Sequence, residues 1–375
     1  MSRQLYLRSR FTLLGRSALI LSLAFFGASA RQLCTAQENL SLQFVTAFST
    51  DADVNQFRTP CQHLRDIVHP SANHPGEERP AVCDSVLNVV AGKTDRTPPA
   101  AHLPIKAGKL AVDSNQRVVI TEPETRIVHV LDFANRKYLR IDVARGNRMG
   151  SPFVVAVDAG NNIYVTDMER GRIAVYNPDG KFLKYIGKFK DEGLFQAPRA
   201  IAIDRASGRI YLADTARNFI LILDLNGKVL AQVGKRGGGE GPAEFKQPTD
   251  IAIYGSEVFV LDRANSRVQV LDLDGKFRRQ FKLSGAGAEG NGIAFDSQGR
   301  MFVTAVQWIE AFNQEGKLLF RFGQAGEKQG EFQDPKGICT DSKDRVYVVD
   351  SGNHRIQVFQ TTDHPKSNSK IEAAR

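Results

Sequence analysis

The chain has 375 residues, of which 42% are hydrophobic and 24% are charged, a composition that is ordinary for a soluble globular protein. Its formal net charge is +9, but Arg3, Arg8, Arg10 and Arg16 lie in the first 16 residues; without them, 46 basic residues face 41 acidic ones, a charge of +5. This excess is small and is not gathered into a basic stripe, so the charge balance argues against a nucleic-acid partner.

Residues 1–30 are predicted to be a secretory signal peptide. Arginines precede an uncharged apolar run from Ser17 to Gly27, and Ala28-Ser29-Ala30 offers small residues for cleavage. A cut after Ala36 is an alternative, and so is an uncleaved anchor, although the apolar run is short for a bilayer span. We therefore expect a periplasmic or extracellular protein that has no membrane span once the signal is removed.

Residues 37–85 are predicted to form an irregular N-terminal extension. This segment shows no repeat, and it contains Cys61 and Cys83, which are 22 residues apart. In an oxidising compartment the two cysteines are candidates for a disulfide, which would stabilise the fold by roughly 3 kcal/mol in the chain-entropy model. Cysteine spacings typical of zinc or haem binding, such as C-x-x-C, are absent from the sequence. Cys339 is expected to be a small buried hydrophobe.

The rest of the sequence repeats a pair of short strands joined by a turn. The clearest copy is residues 345–359, RVYVVDSGNHRIQVF, in which β-branched and aromatic residues flank Ser351-Gly352-Asn353. The position of Asp350 has upstream equivalents at steps of 45, 47, 48, 43 and 45 residues, namely Glu122, Asp167, Asp214, Asp262 and Ala305. A period of this length indicates a repeated supersecondary unit.

Each unit is predicted to have four strands, the last of which follows an Asp-Gly or Asn-Gly turn. The final unit lacks its own outer strand, and a spare strand at 86–91 precedes the first unit. Because an open row of units would leave bare strand edges, we expect a closed ring. The predicted fold is all-β: a six-bladed β-propeller of four-stranded blades over 86–361, with the last blade closed by an N-terminal strand and a polar tail at 362–375.

The last repeat carries a family resemblance. The run from Asp350 to Ile356, DSGNHRI, with Val358 and Phe359 after it and Pro335-Lys336-Gly337-Ile338 before it, resembles the NHL repeat. The resemblance covers residues 86–360 and implies a six-bladed propeller. It implies less about activity, since similar propellers act as protein-binding or RNA-binding platforms, as sensor ectodomains and as lyases.

Acid–arginine pairs recur at the hairpins and are interpreted as structural. They are Asp167 with Arg172, Asp262 with Arg267, and Asp350 with Arg355. A catalytic site needs one asymmetric constellation, whereas these pairs repeat around the ring. A brace for each hairpin therefore fits them better than an active site.

Departures from the repeat supply the candidate binding residues. The fifth unit has Ala305 in place of an acid and carries Trp308, the one tryptophan of the chain, which on an exposed face would be a hot spot for a partner or a sugar ring. The alternative for Trp308 is that it fills space between blades. In the third unit, Arg217 is shifted into the hairpin loop. The starts of the inner strands present a mildly basic mouth that suits an acidic ligand, and an ordinary solvated surface is the alternative; these residues are Phe153, Arg199, Thr249, Asn291 and Lys336.

No metal or cofactor is predicted, because the histidines of the repeat region, His102, His129 and His354, fall at non-equivalent places and do not suggest a shared zinc site. The sequence predicts an exported, monomeric, non-catalytic binding platform for a protein or glycan partner. A metal-dependent lyase or lactonase of the six-bladed propeller type is the alternative.

Overall fold

The computed structural model describes residues 107–142, 149–187, 194–283 and 290–363, together with the backbone of strand β1 (Leu40–Thr46). All of these residues lie in one compact unit, Asn39–Arg375. The described chain is built of β-strands, with two short 3-10 turns at Arg263–Asn265 and Ser351–Asn353. No helix in this part of the chain is long and apolar enough to cross a membrane.

Five four-stranded antiparallel sheets follow one another along the chain, each made of consecutive strands. The first contains β2 (Leu110–Val112), β3 (Val118–Glu122), β4 (Ile127–Asp132) and β5 (Lys137–Asp142). The second contains β6 (Pro152–Val157), β7 (Ile163–Asp167), β8 (Arg172–Tyr176) and β9 (Phe182–Ile186). The third contains β10 (Pro198–Asp204), β11 (Arg209–Asp214), β12 (Phe219–Leu223) and β13 (Val229–Gly234). The fourth contains β14 (Pro248–Tyr254), β15 (Glu257–Asp262), β16 (Arg267–Asp272) and β17 (Phe277–Lys282). The fifth contains β18 (Ile293–Phe295), β19 (Met301–Thr304), β20 (Ile309–Phe312) and β21 (Leu318–Phe322).

The sixth sheet takes its outer strand from the N-terminal side of the chain. It contains β24 (Pro335–Thr340), β25 (Arg345–Asp350), β26 (Arg355–Asp363) and then β1, while β22 (Gln324–Ala325) and β23 (Glu331–Phe332) pair in the connection before it. Strand β1 runs antiparallel to β26, from Leu40 opposite Asp363 to Thr46 opposite Val358. The outer position is thus held by a strand within the segment predicted to be irregular. Residues 86–91, which were predicted for this position, lie outside the described residues, as do Cys61 and Cys83.

Hydrophobic side chains fill the spaces between neighbouring sheets. Each core cluster of the described residues combines two adjacent sheets, so the sheets stand around a common axis as blades. The cluster that joins the last blade to the first includes Leu110 and Val118 together with Tyr347 and Val349, which shows that the ring is closed. Burying one such side chain fully is worth about 1.5–3 kcal/mol, so these interfaces are the main stabilising layers of the fold.

The Asp-Gly turn of the fourth blade, Asp274-Gly275, joins β16 to β17 and shows why glycine is needed there. Gly275 has φ +86°, and a Cβ at this position would lie 2.6 Å from Cγ2 of Val233 in the neighbouring blade. Glycine therefore permits both the left-handed backbone and the close approach of two blades.

The two ends of the ring carry different connections. We call the end at which the innermost strands begin the upper face, and the opposite end the lower face. Because consecutive strands of a blade are antiparallel, the hairpin loop after each second strand and the connections between blades lie on the upper face. On the lower face, side chains tie blades together: Ser114 Oγ donates to Asn161 Oδ1 at 3.0 Å, and Ser297 Oγ donates to Asp344 Oδ2 at 2.7 Å.

Candidate functional site

The upper mouth of the channel is a cavity of about 330 Å³ to which every blade contributes. The residues at one repeat position, near the start of the innermost strands, line it: Gly108, Phe153, Arg199, Thr249, Asn291 and Lys336. Its wall is completed by Ala107, Lys109, Pro123 and Glu124. The structure thus brings Arg199, Asn291 and Lys336 together around one cavity. The volume lies at the lower end of the roughly 300–1,000 Å³ range of ligand pockets.

An ion pair across the channel axis forms the floor of this cavity. Lys109 comes from the first blade and Asp250 from the fourth, which lies opposite, and Lys109 Nζ is 2.7 Å from Asp250 Oδ2. The two side chains are only 9% and 10% exposed. The backbone N–H of Ile293 also donates to Asp250 Oδ2, at 3.0 Å, and Lys109 Nζ also donates to the carbonyl oxygen of Asn291. Because both residues line a second cavity of about 250 Å³ below, the pair separates the two chambers and makes the upper one blind.

Two more cations stand at the rim of the cavity on opposite sides, since Arg199 belongs to the third blade and Lys336 to the sixth. Cζ of Arg199 lies 5.6 Å from the ring centroid of Phe153, within the range of a cation–π contact. Nζ of Lys336 lies 3.1 Å from Asp334 Oδ2, and both of these side chains are exposed by more than a third. An exposed ion pair contributes little stability, so Lys336 is available to an external anion. Because Glu124 also lines the cavity, the lining residues above the neutral floor carry one net positive charge.

The cavity is asymmetric because, at the repeat position that lines it, the first blade has a glycine where the other five blades have larger residues. A Cβ on Gly108 would lie 2.7 Å from the carbonyl oxygen of Phe153 and 2.8 Å from Thr121 Oγ1, so a larger residue does not fit without movement. Ala107 and Pro123 of the same blade also line the cavity. Together with the Phe153 ring, these residues give the cavity an apolar wall on the side of the first two blades.

The recurring acid–arginine pairs fix the loops of the upper face. In the sixth blade, Arg355 Nε donates to Asp350 Oδ2 at 2.8 Å, and the other guanidinium nitrogens donate to backbone carbonyls of residues 327–331. The same ion pair joins Asp262 to Arg267 at 2.8 Å and Asp167 to Arg172 at 3.4 Å. All three carboxylates are fully buried. Removing one partner of such a pair typically costs about 3–5 kcal/mol, so these residues hold the framework around the mouth.

The fifth blade builds its brace from other residues, which sequence reasoning did not foresee. Glu310 on β20 is buried, and it accepts hydrogen bonds from Arg321 Nη2 at 2.6 Å and from the indole Nε1 of Trp308 at 3.3 Å. Cζ of Arg321 lies 4.5 Å from the centroid of the Trp308 ring. The tryptophan is half-buried, has one face covered by a guanidinium, and is not among the residues that line the cavity.

The first blade replaces the usual pair with a glutamate and a histidine. Nε2 of His129 lies 3.1 Å from Glu122 Oε2, and its Nδ1 lies 2.8 Å from the Tyr138 hydroxyl. Burial alone would raise the pKa of Glu122, but hydrogen bonds from His129 and Thr125 and nearby positive charge outweigh burial and hold this pKa below its usual value. His129 therefore belongs to a buried network within the blade and does not reach the channel cavity.

Arg217 lies in the hairpin loop of the third blade, on the upper face but outside the cavity lining. Its Nη1 donates to the carbonyl oxygen of Leu194 at 2.9 Å and lies 3.6 Å from Asp214 Oδ2. Cys339 lines the lower chamber, and burial raises the pKa of its thiol, so it is not an activated nucleophile. Within the described residues, no group of three or more His, Cys, Asp or Glu side chains is placed to hold a metal ion.

The floor pair was missed from the sequence, although a signal for it exists. At the repeat position that follows the mouth residues, the six units have Lys109, Val154, Ala200, Asp250, Gly292 and Gly337. The two charged residues are opposite in sign and three units apart. In a six-unit ring that spacing places them face to face across the axis.

These features define a six-bladed β-propeller with a blind, ligand-sized cavity at one end of its channel. The NHL repeat model matches residues 332–359, and a family described as a 6-bladed beta-propeller matches residues 188–284. The chain is thus a six-bladed β-propeller that contains an NHL repeat at residues 332–359.

Two relatives match parts of this chain. The chain is 28% identical over 222 residues to human NHL repeat-containing protein 3, a match that covers 56% of this chain and 52% of the relative. It is 44% identical over 45 residues to mouse tripartite motif-containing protein 3, covering 12% of this chain and 6% of that protein. The chain thus matches about half the length of the human relative and a small part of the mouse one.

Two solved structures share the fold at low sequence identity. Virginiamycin B lyase from Staphylococcus aureus is similar with a TM-score of 0.51 at 13% identity, over 69% of this chain and 96% of that one. A chain of a nidogen/laminin complex is similar with a TM-score of 0.50 at 19% identity, over 63% and 85%. At these identities the likeness concerns the fold alone, and it spans a lyase and a protein from a protein–protein complex.

Proposed function

We propose that this chain is an exported, non-catalytic platform that binds a protein partner through its upper face. The observation that supports the proposal most strongly is the cavity at the channel mouth. Its rim carries Arg199 and Lys336 without buried counter-charges, and the loops around it are held in place by buried ion pairs. A rigid, positively charged concavity is suited to capturing an acidic group that protrudes from another protein.

A protein partner is favoured over a glycan because of the surroundings of Trp308. Sugar rings are bound by stacking on a free aromatic face, whereas Arg321 already covers one face of this indole and Glu310 occupies its N–H. The exposed part of the ring can still contact a protein at the edge of an interface.

A binding role is also favoured over the lyase or lactonase alternative by the chemistry of the cavity. The residues that line it include no histidine or cysteine, and Glu124 is the carboxylate among them. Asp250, beneath, is already bonded to Lys109 and to a backbone N–H. General acid–base chemistry needs a titratable group within reach of the reacting atom, and these groups do not supply a matched pair.

The test is affinity capture from an extract of the source cells, followed by identification of the captured protein and direct binding with that protein purified. The wild-type chain is compared with the double variant Arg199→Met/Lys336→Met and with Trp308→Ala. The control double variant, Lys317→Met/Arg278→Met, removes two exposed cations far from the upper mouth. We expect the mouth variant to lose the partner, the control to keep it, and Trp308→Ala to weaken binding slightly. A partner that binds all four proteins equally would contradict the proposed surface.

The proposed export is tested separately by sequencing the N-terminus of the mature protein. A start near Arg31 or Gln37 is expected. A protein that keeps Met1 and stays in the cytosol would contradict export.

A further inference from the structure

The cavity at the upper mouth is blind, and this restricts what can enter it. The ion pair between Lys109 and Asp250 crosses the axis directly beneath the mouth, and the second chamber begins only below this pair. A polypeptide that enters along the axis cannot pass through. With about 330 Å³ available, the space suits one end of a chain better than a loop that enters and turns back.

The charges at the rim decide which end of a chain fits. A polypeptide ends either in an ammonium or in a carboxylate group. Arg199 and Lys336 approach the mouth from opposite sides, Glu124 offsets one of their two charges, and Asp250 beneath is neutralised by Lys109, so the lining residues offer one net positive charge to an entering group. An arginine fork binds a carboxylate through paired, charge-assisted hydrogen bonds, which are stronger than neutral ones.

The remaining lining residues favour an apolar side chain next to that carboxylate. The wall formed by Ala107, Pro123 and Phe153 lies on the side of the first two blades. The Phe153 ring also holds the Arg199 guanidinium above its face, so the anion site and the apolar wall adjoin. The amide of Asn291 and the hydroxyl of Thr249, on the other side, can bond to the backbone of an entering chain.

We infer that the upper cavity binds the free C-terminal carboxylate of a partner polypeptide whose last residue is apolar or aromatic. This inference rests on the proposed binding function and specifies its ligand chemistry. Arg199 and Lys336 hold the carboxylate, Phe153 and Pro123 contact the last side chain, and the Lys109–Asp250 pair stops the chain from going deeper.

The experiment measures fluorescence anisotropy of labelled hexapeptides that end in Phe or Leu, each made with a free C-terminal acid and with a C-terminal amide. We expect the acids to bind the wild-type chain about tenfold more tightly than the amides, because one charge-assisted contact pair is lost. Arg199→Met/Lys336→Met should abolish this preference, and Lys317→Met/Arg278→Met should keep it. Thermal melting of each variant verifies that the fold is retained.

Other outcomes overturn the inference in distinguishable ways. Equal binding of acids and amides would refute recognition of a chain end. If 3-phenylpropionate bound at the same site while neither peptide bound, the ligand would be a small carboxylic acid, and both the inference and the proposed protein partner would be wrong. If neither peptide bound but a captured protein still required Arg199 and Lys336, the inference would fail while the proposed function would stand.

Discussion

Replacing Lys109 by methionine tests the ion pair that closes the channel. The substitution keeps the length of the side chain but removes the charge that faces Asp250, whose side chain is only 10% exposed. Leaving one member of a buried pair without its partner typically costs about 3–5 kcal/mol. For a domain of this size, 1 kcal/mol corresponds to about 2 °C in melting temperature, so a decrease of about 6–10 °C is expected.

A double-mutant cycle separates the pair from ordinary packing. Asp250→Asn removes the negative charge but keeps an acceptor for the N–H of Ile293, which donates to Asp250 in the native protein. The combination Lys109→Met/Asp250→Asn should therefore be more stable than the sum of the two single changes predicts, because no uncompensated charge remains. Directly contacting residues show coupling energies of about 0.5–3 kcal/mol. The stabilities are measured by calorimetry and urea denaturation. Additive effects, or a Lys109→Met variant as stable as the wild type, would refute the cross-axis pair.

Other substitutions test the braces and turns. The folded-state pKa of Glu122 lies below its usual value, so this carboxylate stabilises the fold above its unfolded-state pKa of about 4.5. That contribution is lost as the pH falls through the lower folded-state pKa. The melting temperatures of wild type and Glu122→Gln should therefore converge in acid, and a difference that stays constant with pH would contradict the role of His129. Arg321→Ala should uncover the Trp308 ring and shift its fluorescence to longer wavelength with easier quenching by acrylamide, and unchanged quenching would argue against the observed stacking. Gly171→Ala should lower the melting temperature markedly, because this residue has φ +58° and the new Cβ would meet a backbone oxygen at 2.2 Å; a neutral result would mean that the loop relaxes freely.

Most of the fold could be predicted from the sequence, because each repeat unit encodes the same strands, the same turns and the same position at the channel mouth. Phe153, Arg199 and Lys336 were assigned to the mouth from their place in the unit alone. The floor pair was missed because its two residues are 141 positions apart and make contact only when the ring closes. The brace of the fifth blade was missed for a related reason: a glutamate and an arginine from the outer strands replace residues expected at the hairpin.

The strand that closes the ring illustrates a second limit of prediction from the sequence. Leu40–Thr46 and the run at 86–91 both have strand-like composition, and similarity to the outer strands of other units favoured the later run. The pairing partner of an edge strand is chosen by the tertiary fold, so composition alone does not decide between two candidates.

The hydrogen bonds between blades on the lower face suggest that the two ends of the ring have different roles. Ser114 with Asn161 and Ser297 with Asp344 link neighbouring blades through turns at that end. These two links do not involve the hairpin loops at the other end, although some of those loops also contact the next blade, as Thr215 Oγ1 does by donating to the carbonyl oxygen of Pro248. Changes at loop positions that make no such contact can alter what the protein recognises while the blades stay joined at the lower end.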